Sequence, residues 1–215
     1  MLGILGRDGA FAESLRLPDV NLIPIPDSIP DDVAVFVEPL AAAYEIFEQV
    51  HLARNETIVV LGDGRLGALV ALALKGEKYL PIVAGHHREK LARLAELGLK
   101  TADESSLRDK FDVALECSGS ESGFRRAIEL VRPRGRIILK STAAAAAELN
   151  LAPIVVNEIT VIGSRCGRFQ PALDALAAGK IDPRPLIDGS FALDDGIAAF
   201  EAATNPLNFK ILLKQ

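Results

Sequence analysis

Three glycines at fixed spacing are the part of this sequence most able to do chemistry. Gly62-Asp63-Gly64-Arg65-Leu66-Gly67 follows a short apolar run, Thr57–Leu61, and opens a segment, Leu66–Lys75, that reads as a helix. In that setting Gly62 allows the tight turn and Gly64 lets the backbone approach a pyrophosphate. Gly67 lets helix and strand pack closely, and the helix N-terminus attracts the anion. The bland alternative is a glycine turn that only joins two elements. A second strand, Leu80–Ala84, ends in Gly85 and is followed by His86, His87 and Arg88. A site for NAD asks for a carboxylate at the end of that strand, to bind the ribose hydroxyls. None stands there. Gly85 leaves room, and the three basic residues can take a 2′-phosphate, so the expected cofactor is NADP, with NAD as second choice. The alternative is a basic helix entry facing solvent.

Other small and polar residues cluster after later strands. Cys117-Ser118-Gly119 follows the strand Asp112–Glu116, where small side chains admit a nicotinamide ribose. Cys117 has no activating base nearby in sequence, and reads as a packing residue rather than a nucleophile. Lys140-Ser141-Thr142 ends a fifth strand and Ser164-Arg165-Cys166-Gly167 a sixth. Either could equally be a polar loop. Glu38, before Pro39, is a carboxylate at a helix entry; as a metal ligand it would need several partners. The histidines, His51, His86 and His87, show no metal-binding spacing.

The elements that must hold these residues read as follows. Asp8-Gly9 and Pro18, Pro24, Pro26 and Pro30 punctuate a loop-rich start, with Phe11–Leu17 and Leu22–Ile25 as short strands. Asp31-Asp32 opens a helix, and Pro39 starts another that runs to about Val50. Strand and helix then alternate: Thr57–Leu61, Leu66–Lys75, Leu80–Ala84, Glu89–Leu97 ended by Gly98, and Asp112–Glu116. A helix capped near Ser120 follows, with Phe124, Ala127, Ile128 and Val131 on one face. The strands Arg136–Lys140 and Ile159–Gly163 come next. Continuous apolar strands between helices mark a parallel sheet covered on both faces, hence a doubly wound α/β (Rossmann) fold. After Pro185 the texture changes again: Leu186-Ile187 is extended, Asp194–Thr204 is a helix and Phe209–Leu213 a closing strand. The one low-complexity tract is Ala143–Ala147.

Composition excludes several function classes. The 215 residues carry 24 Lys and Arg against 29 Asp and Glu, a net charge of -5, which gives no reason to expect a nucleic-acid partner. Aromatic residues are 5% and Trp is absent, so stacking on single-stranded bases is not expected. No apolar run is long enough to span a bilayer, and the start lacks the basic-then-apolar form of a signal peptide. Two cysteines make neither a disulfide framework nor a four-Cys zinc site, so a reducing cytoplasm is the expected compartment.

The whole pattern resembles the medium-chain dehydrogenase/reductase family, in its zinc-type alcohol dehydrogenase branch of sorbitol- and threonine-dehydrogenase-like members. The matching text is Leu2-Gly3-Ile4, Asp8–Glu13, Asn21-Leu22, Pro26-Asp27 and Glu38–Ala41, then the glycine motif. Glu116–Gly119, Gly163–Gly167, Pro185–Ile187 and Phe209–Leu213 complete it. The resemblance implies three parts: residues 1–38 as a remnant of a barrel-like catalytic domain, 39–185 as the dinucleotide-binding domain, and 186–215 returning to the catalytic domain. It implies an NAD(P)-dependent oxidoreductase that moves a hydride between a small alcohol or carbonyl and the cofactor. It also implies a zinc in the full-length family, whose Cys and His-Glu ligands this sequence does not contain. Glu38 is then at most a vestigial metal ligand, Lys210 is similar to a basic residue that reaches the cofactor phosphates, and Ser164–Gly167 match the loop beside the nicotinamide. The family also pairs its dinucleotide domains through a sheet edge, so a homodimer is expected through the stretch between Ser164 and Pro185. With the zinc ligands missing, activity of this chain is expected to be absent or impaired. Two other readings fit the same residues: a non-catalytic dinucleotide-binding module, and a zinc-independent NADPH reductase.

Overall fold

A computed structural model describes residue 3, residues 6–142 and residues 149–215. The alanine run Ala143–Ala147 and the resembling residues Leu2 and Ile4 lie outside the described residues. After an extended start come α1 (Asp31–Ala34) and α2 (Val37–Gln49), followed by β1 (Ile58–Leu61), α3 (Arg65–Gly76), β2 (Ile82–Gly85), α4 (Arg88–Glu96) and β3 (Lys100–Asp103). Next are β4 (Phe111–Glu116), α5 (Glu121–Leu130), β5 (Val131–Leu139), α6 (Ala152–Val156), β6 (Thr160–Gly163) and α7 (Phe169–Ala177). The chain closes with β7 (Ile187–Ala192), α8 (Gly196–Thr204) and β8 (Lys210–Lys214).

Six strands form one parallel sheet in the order β3-β2-β1-β4-β5-β6. This is the Rossmann order, and its reversal falls between β1 and β4. The burial pattern explains why the strands read as apolar runs. Ile58 and Val60 of β1 point into one core with α2, α3 and α7, while Val59 and Leu61 point into a second core with α5. Every residue of β1 is therefore buried, whichever face it takes. β7 and β8 form a separate two-stranded parallel sheet, packed with α8.

Several elements differ from the sequence reading. Phe11–Leu17 and Leu22–Ile25 are not strands: they run as turns and irregular chain around a short 3-10 turn, Asp19–Asn21. Neither segment joins a sheet among the described residues, although Gln215 after β8 donates to the carbonyls of Ala12 and Glu13, and prolines 18, 24 and 26 remove backbone donors. β3 is a strand that the sequence hides, because Lys100-Thr101-Ala102-Asp103 sits at a half-exposed sheet edge with no apolar run. Val131 ends the helix and begins β5, which pairs with β4 through a register shift between Phe111 and Val113. The stretch between Ser164 and Pro185, expected as the pairing edge, is α7. Its Ala172, Leu173, Ala175 and Leu176 are buried in the core shared with α2, and the sheet edge is β6 instead.

Candidate functional site

The glycine loop joins β1 to α3 at the carboxyl rim of the sheet. Gly62 has φ +113°, a conformation open to glycine, and its N–H donates to Ala84 O at 2.8 Å. A Cβ on Gly62 would lie 2.9 Å from the backbone of Cys117 and Ser118. A Cβ on Gly67 would lie 1.9 Å from Gly62 O, so helix and strand meet there at a distance that no larger residue tolerates. Gly64 is the contrast: a Cβ on it meets nothing within 4 Å. Two glycines are fixed by packing and the middle one by none. Its open side lies at the N-terminus of a twelve-residue helix, where free backbone amides and the helix dipole favour an anion.

The ends of β4, β5 and β6 complete the rim. Glu116, fully buried at the end of β4, accepts from the Ser118 N–H at 2.7 Å and from Ser118 Oγ at 2.5 Å. Its Oε2 has no hydrogen-bond partner among the described residues. The Ser141 hydroxyl, after β5, accepts from Gly119 N–H at 2.7 Å and ties the two strand ends together. Lys140 is buried and donates to Ala42 O at 2.6 Å, Ser164 Oγ at 3.0 Å and Arg165 O at 2.9 Å. Burial holds it below the usual lysine range. One ammonium thus fixes α2, β5 and the loop after β6 around the same opening. Cys117 packs beneath the loop, and burial pushes its thiol above the usual range, the setting of a packing residue. Arg165 is exposed on the loop after β6.

Residues 66–178, more than half of the chain, match the family model described as zinc-binding dehydrogenase. The chain belongs to the zinc-binding dehydrogenase family. It is similar to a sorbitol dehydrogenase of Halalkalibacterium halodurans, 27% identical over 225 residues, which covers 96% of this chain and 66% of that protein. An L-threonine 3-dehydrogenase of Mesorhizobium japonicum is 28% identical over 231 residues, with 99% and 66% covered. The crystal structure of a short chain alcohol dehydrogenase from E. coli CFT073, complexed with cofactor NADH, aligns with a TM-score of 0.88 at 25% identity. It covers 97% of this chain and 67% of that one. The chain thus spans about two thirds of the length of the curated relatives it matches.

The family's zinc does not fit the residues described. Among them no group of three or more His, Cys, Asp or Glu is placed to hold a metal ion. Glu38 is exposed in the first turn of α2, where its charge acts on Lys210. No chemical step through zinc follows from these residues.

The glycine loop is bordered by cations from three elements. Lys210, at the start of β8, lies 5.4 Å from the Phe36 ring. Burial holds its pKa down, and Arg65 in the glycine motif lowers it further. Lys90 on α4, a site residue the sequence reading missed, lies 4.8 Å from the Phe209 ring. Burial holds it down too, with Asp63 partly offsetting and Arg65 adding to the effect. Arg65 itself donates to Ala203 O at 2.5 Å. Three cations from α3, α4 and β8 therefore converge on the glycine loop, and each would gain from an anion placed among them. The signal for Lys90 was present in the amphipathic pattern of α4, which turns Lys90, Leu91 and Leu94 inward.

The end of β2 corrects the sequence reading most. The space that Gly85 leaves is filled: a Cβ there would lie 2.3 Å from Asp63 Oδ2. Asp63 is buried and accepts from His87 N–H at 2.7 Å, with its Oδ1 2.9 Å from His87 Nδ1. His86 Nε2 lies 3.4 Å from Glu104, whose carboxyl burial raises above its usual range. Both histidines face carboxylates, and of the basic trio Arg88 is left exposed without a hydrogen-bond or ion-pair partner among the described residues. A carboxylate does stand at the end of the second strand, supplied by the glycine loop.

Proposed function

We propose that this chain is the nicotinamide-dinucleotide-binding part of an oxidoreductase that transfers a hydride between a small alcohol or carbonyl compound and the cofactor. The observation that carries the reading is the glycine loop: Gly62 and Gly67 locked by backbone contact, and Gly64 open on the side facing the rim. The neighbouring proteins support it, since the names of the relatives specify dehydrogenases of sorbitol and of L-threonine and one solved neighbour is complexed with NADH. When bound, the nicotinamide ring supplies the hydride chemistry. The chain's own part is to bind and orient. The amides at the start of α3 take the pyrophosphate, with Arg65, Lys90 and Lys210 balancing its charge. Gly85, His86, His87 and Arg88 border the adenosine end. Cys117, Ser118, Gly119, Ser141, Ser164 and Arg165 border the nicotinamide end, held by Glu116 and Lys140.

Of the two cofactors, Arg88 supports NADP, whereas Asp63 and the pairing of both histidines with carboxylates support NAD. The second set is the better defended, because a 2′-phosphate beside Asp63 and Glu104 meets like charge. The domain division at 39 and 185, a cytoplasmic setting and a homodimer belong to the same reading. The non-catalytic module stays in view because the described residues hold no metal group. Titration of the protein with NADH and NADPH, followed by fluorescence, tests the proposal. Saturable binding of either is expected, and no binding at millimolar concentration overturns it. Turnover of alcohols or enones then separates an enzyme from a module.

A further inference from the structure

The acidic side chain that reads ribose in a doubly wound site normally stands at the end of the second strand. Here the strand ends in Gly85, and a Cβ on it would lie 2.3 Å from Asp63 Oδ2, 2.4 Å from its Cγ and 2.5 Å from its Cβ. Asp63 thus fills the volume into which a strand-end side chain would grow. Its orientation is fixed from α4: one oxygen takes the His87 N–H at 2.7 Å and the other lies 2.9 Å from His87 Nδ1. A carboxylate has about four acceptor positions, so each oxygen keeps one for a ligand hydroxyl. The side chain is 8% exposed, so any group that meets it does so largely out of water, where charge counts most. Its peptide neighbour Gly64 offers the open side of the loop.

We propose that Asp63, the second residue of the glycine motif, reads the adenosine ribose, accepting from its 2′-hydroxyl and excluding a 2′-phosphate, so that the site selects an NAD-type dinucleotide. The inference rests on the dinucleotide reading above. It makes Gly85 a consequence of Asp63: two side chains cannot share that space, and the carboxylate has moved from the strand to the loop. The competing role for Asp63 is a brace that only holds His87 at the start of α4.

The test is a pair of fluorescence titrations, NADH and NADPH, on the full chain and two variants, with melting temperatures measured alongside. The wild-type protein is expected to bind NADH about tenfold or more tightly than NADPH, the value of one hydrogen bond to a charged group. Asp63→Asn keeps the shape and loses the charge, so NADH should weaken about tenfold while NADPH holds or tightens. The double variant Asp63→Gly with Gly85→Asp returns the carboxylate to the strand end, and NADH selectivity should return with it. That variant is the control for a strand-end carboxylate; Asp63→Asn separates reader from brace, because losing a brace lowers the melting temperature without moving the ratio of NADH to NADPH affinity. Selectivity unchanged in Asp63→Asn at an unchanged melting temperature overturns the proposal and leaves the dinucleotide reading standing, as does a wild-type preference for NADPH. If Asp63→Asn fails to fold, Asp63→Ser decides, with the wild-type preference beside it: a lost NADH preference supports the proposal and a retained one overturns it. Failure of the wild-type protein to bind either reduced dinucleotide overturns both readings.

Discussion

Gly64 and Gly67 belong to one motif but are held by different constraints, and substitution should separate them. A methyl at Gly67 would sit 1.9 Å from Gly62 O, a backbone atom that cannot swing aside. Gly67→Ala is expected to cost about 3 kcal/mol or more and to lower the melting temperature with or without ligand. Gly64 has φ -81° and ψ -174°, which alanine adopts, and its Cβ meets nothing within 4 Å. Gly64→Ala should leave stability within about 0.5 kcal/mol and weaken NADH about tenfold, because the methyl stands where the pyrophosphate must approach. Melting curves and titrations on both variants check this; undiminished NADH binding by Gly64→Ala would remove the pyrophosphate from that face.

Between elements, two polar clusters do the joining. Asp188 of β7 accepts from Arg93 of α4 at 2.7 Å, and also from the backbone N–H groups of Phe209 and of Lys210, the latter at 3.1 Å. Phe209 is buried against Lys90 and Arg93, whose charged groups lie 4.8 and 4.7 Å from its ring centre. Asp188→Ala leaves those N–H groups and the guanidinium without their acceptor, so a loss of about 2–3 kcal/mol is expected in chemical denaturation. A change under about 0.5 kcal/mol would show that the β7–β8 sheet is held by apolar packing alone. Asp112 fastens the start of β1 to β4 and β5. Its Oδ2 accepts from the N–H and hydroxyl of Thr57, each at 2.7 Å, and its Oδ1 from Arg132 Nε at 2.6 Å. The Thr57 N–H, then Arg132 and the Thr57 hydroxyl, hold its pKa down to about 2. A carboxyl with a lowered folded-state pKa adds stability above its unfolded value, about 4, and loses it as pH falls through about 2. Asp112→Asn should therefore lower the melting temperature at pH 7 and flatten its fall between about pH 4 and 2. Parallel curves for the two proteins would assign that acid sensitivity to other carboxylates.

At the scale of the whole molecule, the six-stranded sheet ends in two edges of opposite character. β3 ends one side with Lys100 and Asp103, charges that discourage pairing with another chain. β6 ends the other with Thr160-Val161-Ile162-Gly163, and Val161 is 38% exposed. Just before it in the chain, α6 exposes Val155 and Val156 at 75% and 78%. An open apolar edge beside exposed valines suits a two-fold pairing that continues the sheet into a second copy. Sedimentation should give a dimer at micromolar concentration, and Val161→Lys should shift it toward monomer without loss of secondary structure. A wild-type protein that sediments as monomer up to high micromolar concentration would reject the pairing.

The sequence by itself determined the strands that are buried on both faces and the glycine motif. β1, β2 and β4 were legible because strands buried on both faces must be apolar throughout, and the glycine loop because its turn and its close packing each demand glycine. The family was legible because those signals recur together along the chain. What only the tertiary structure decided is what neighbours decide. The strand order is set by which edges meet, so polar β3 and the helix α7, with Pro171 inside it, left no local signature. The space at Gly85 was misjudged for the same reason: the strand end was read as open, and the Asp63 carboxylate from the loop opposite fills it. A side chain's environment is set by distance in space, and Asp63 and Gly85 touch only because β1 and β2 pair in the sheet.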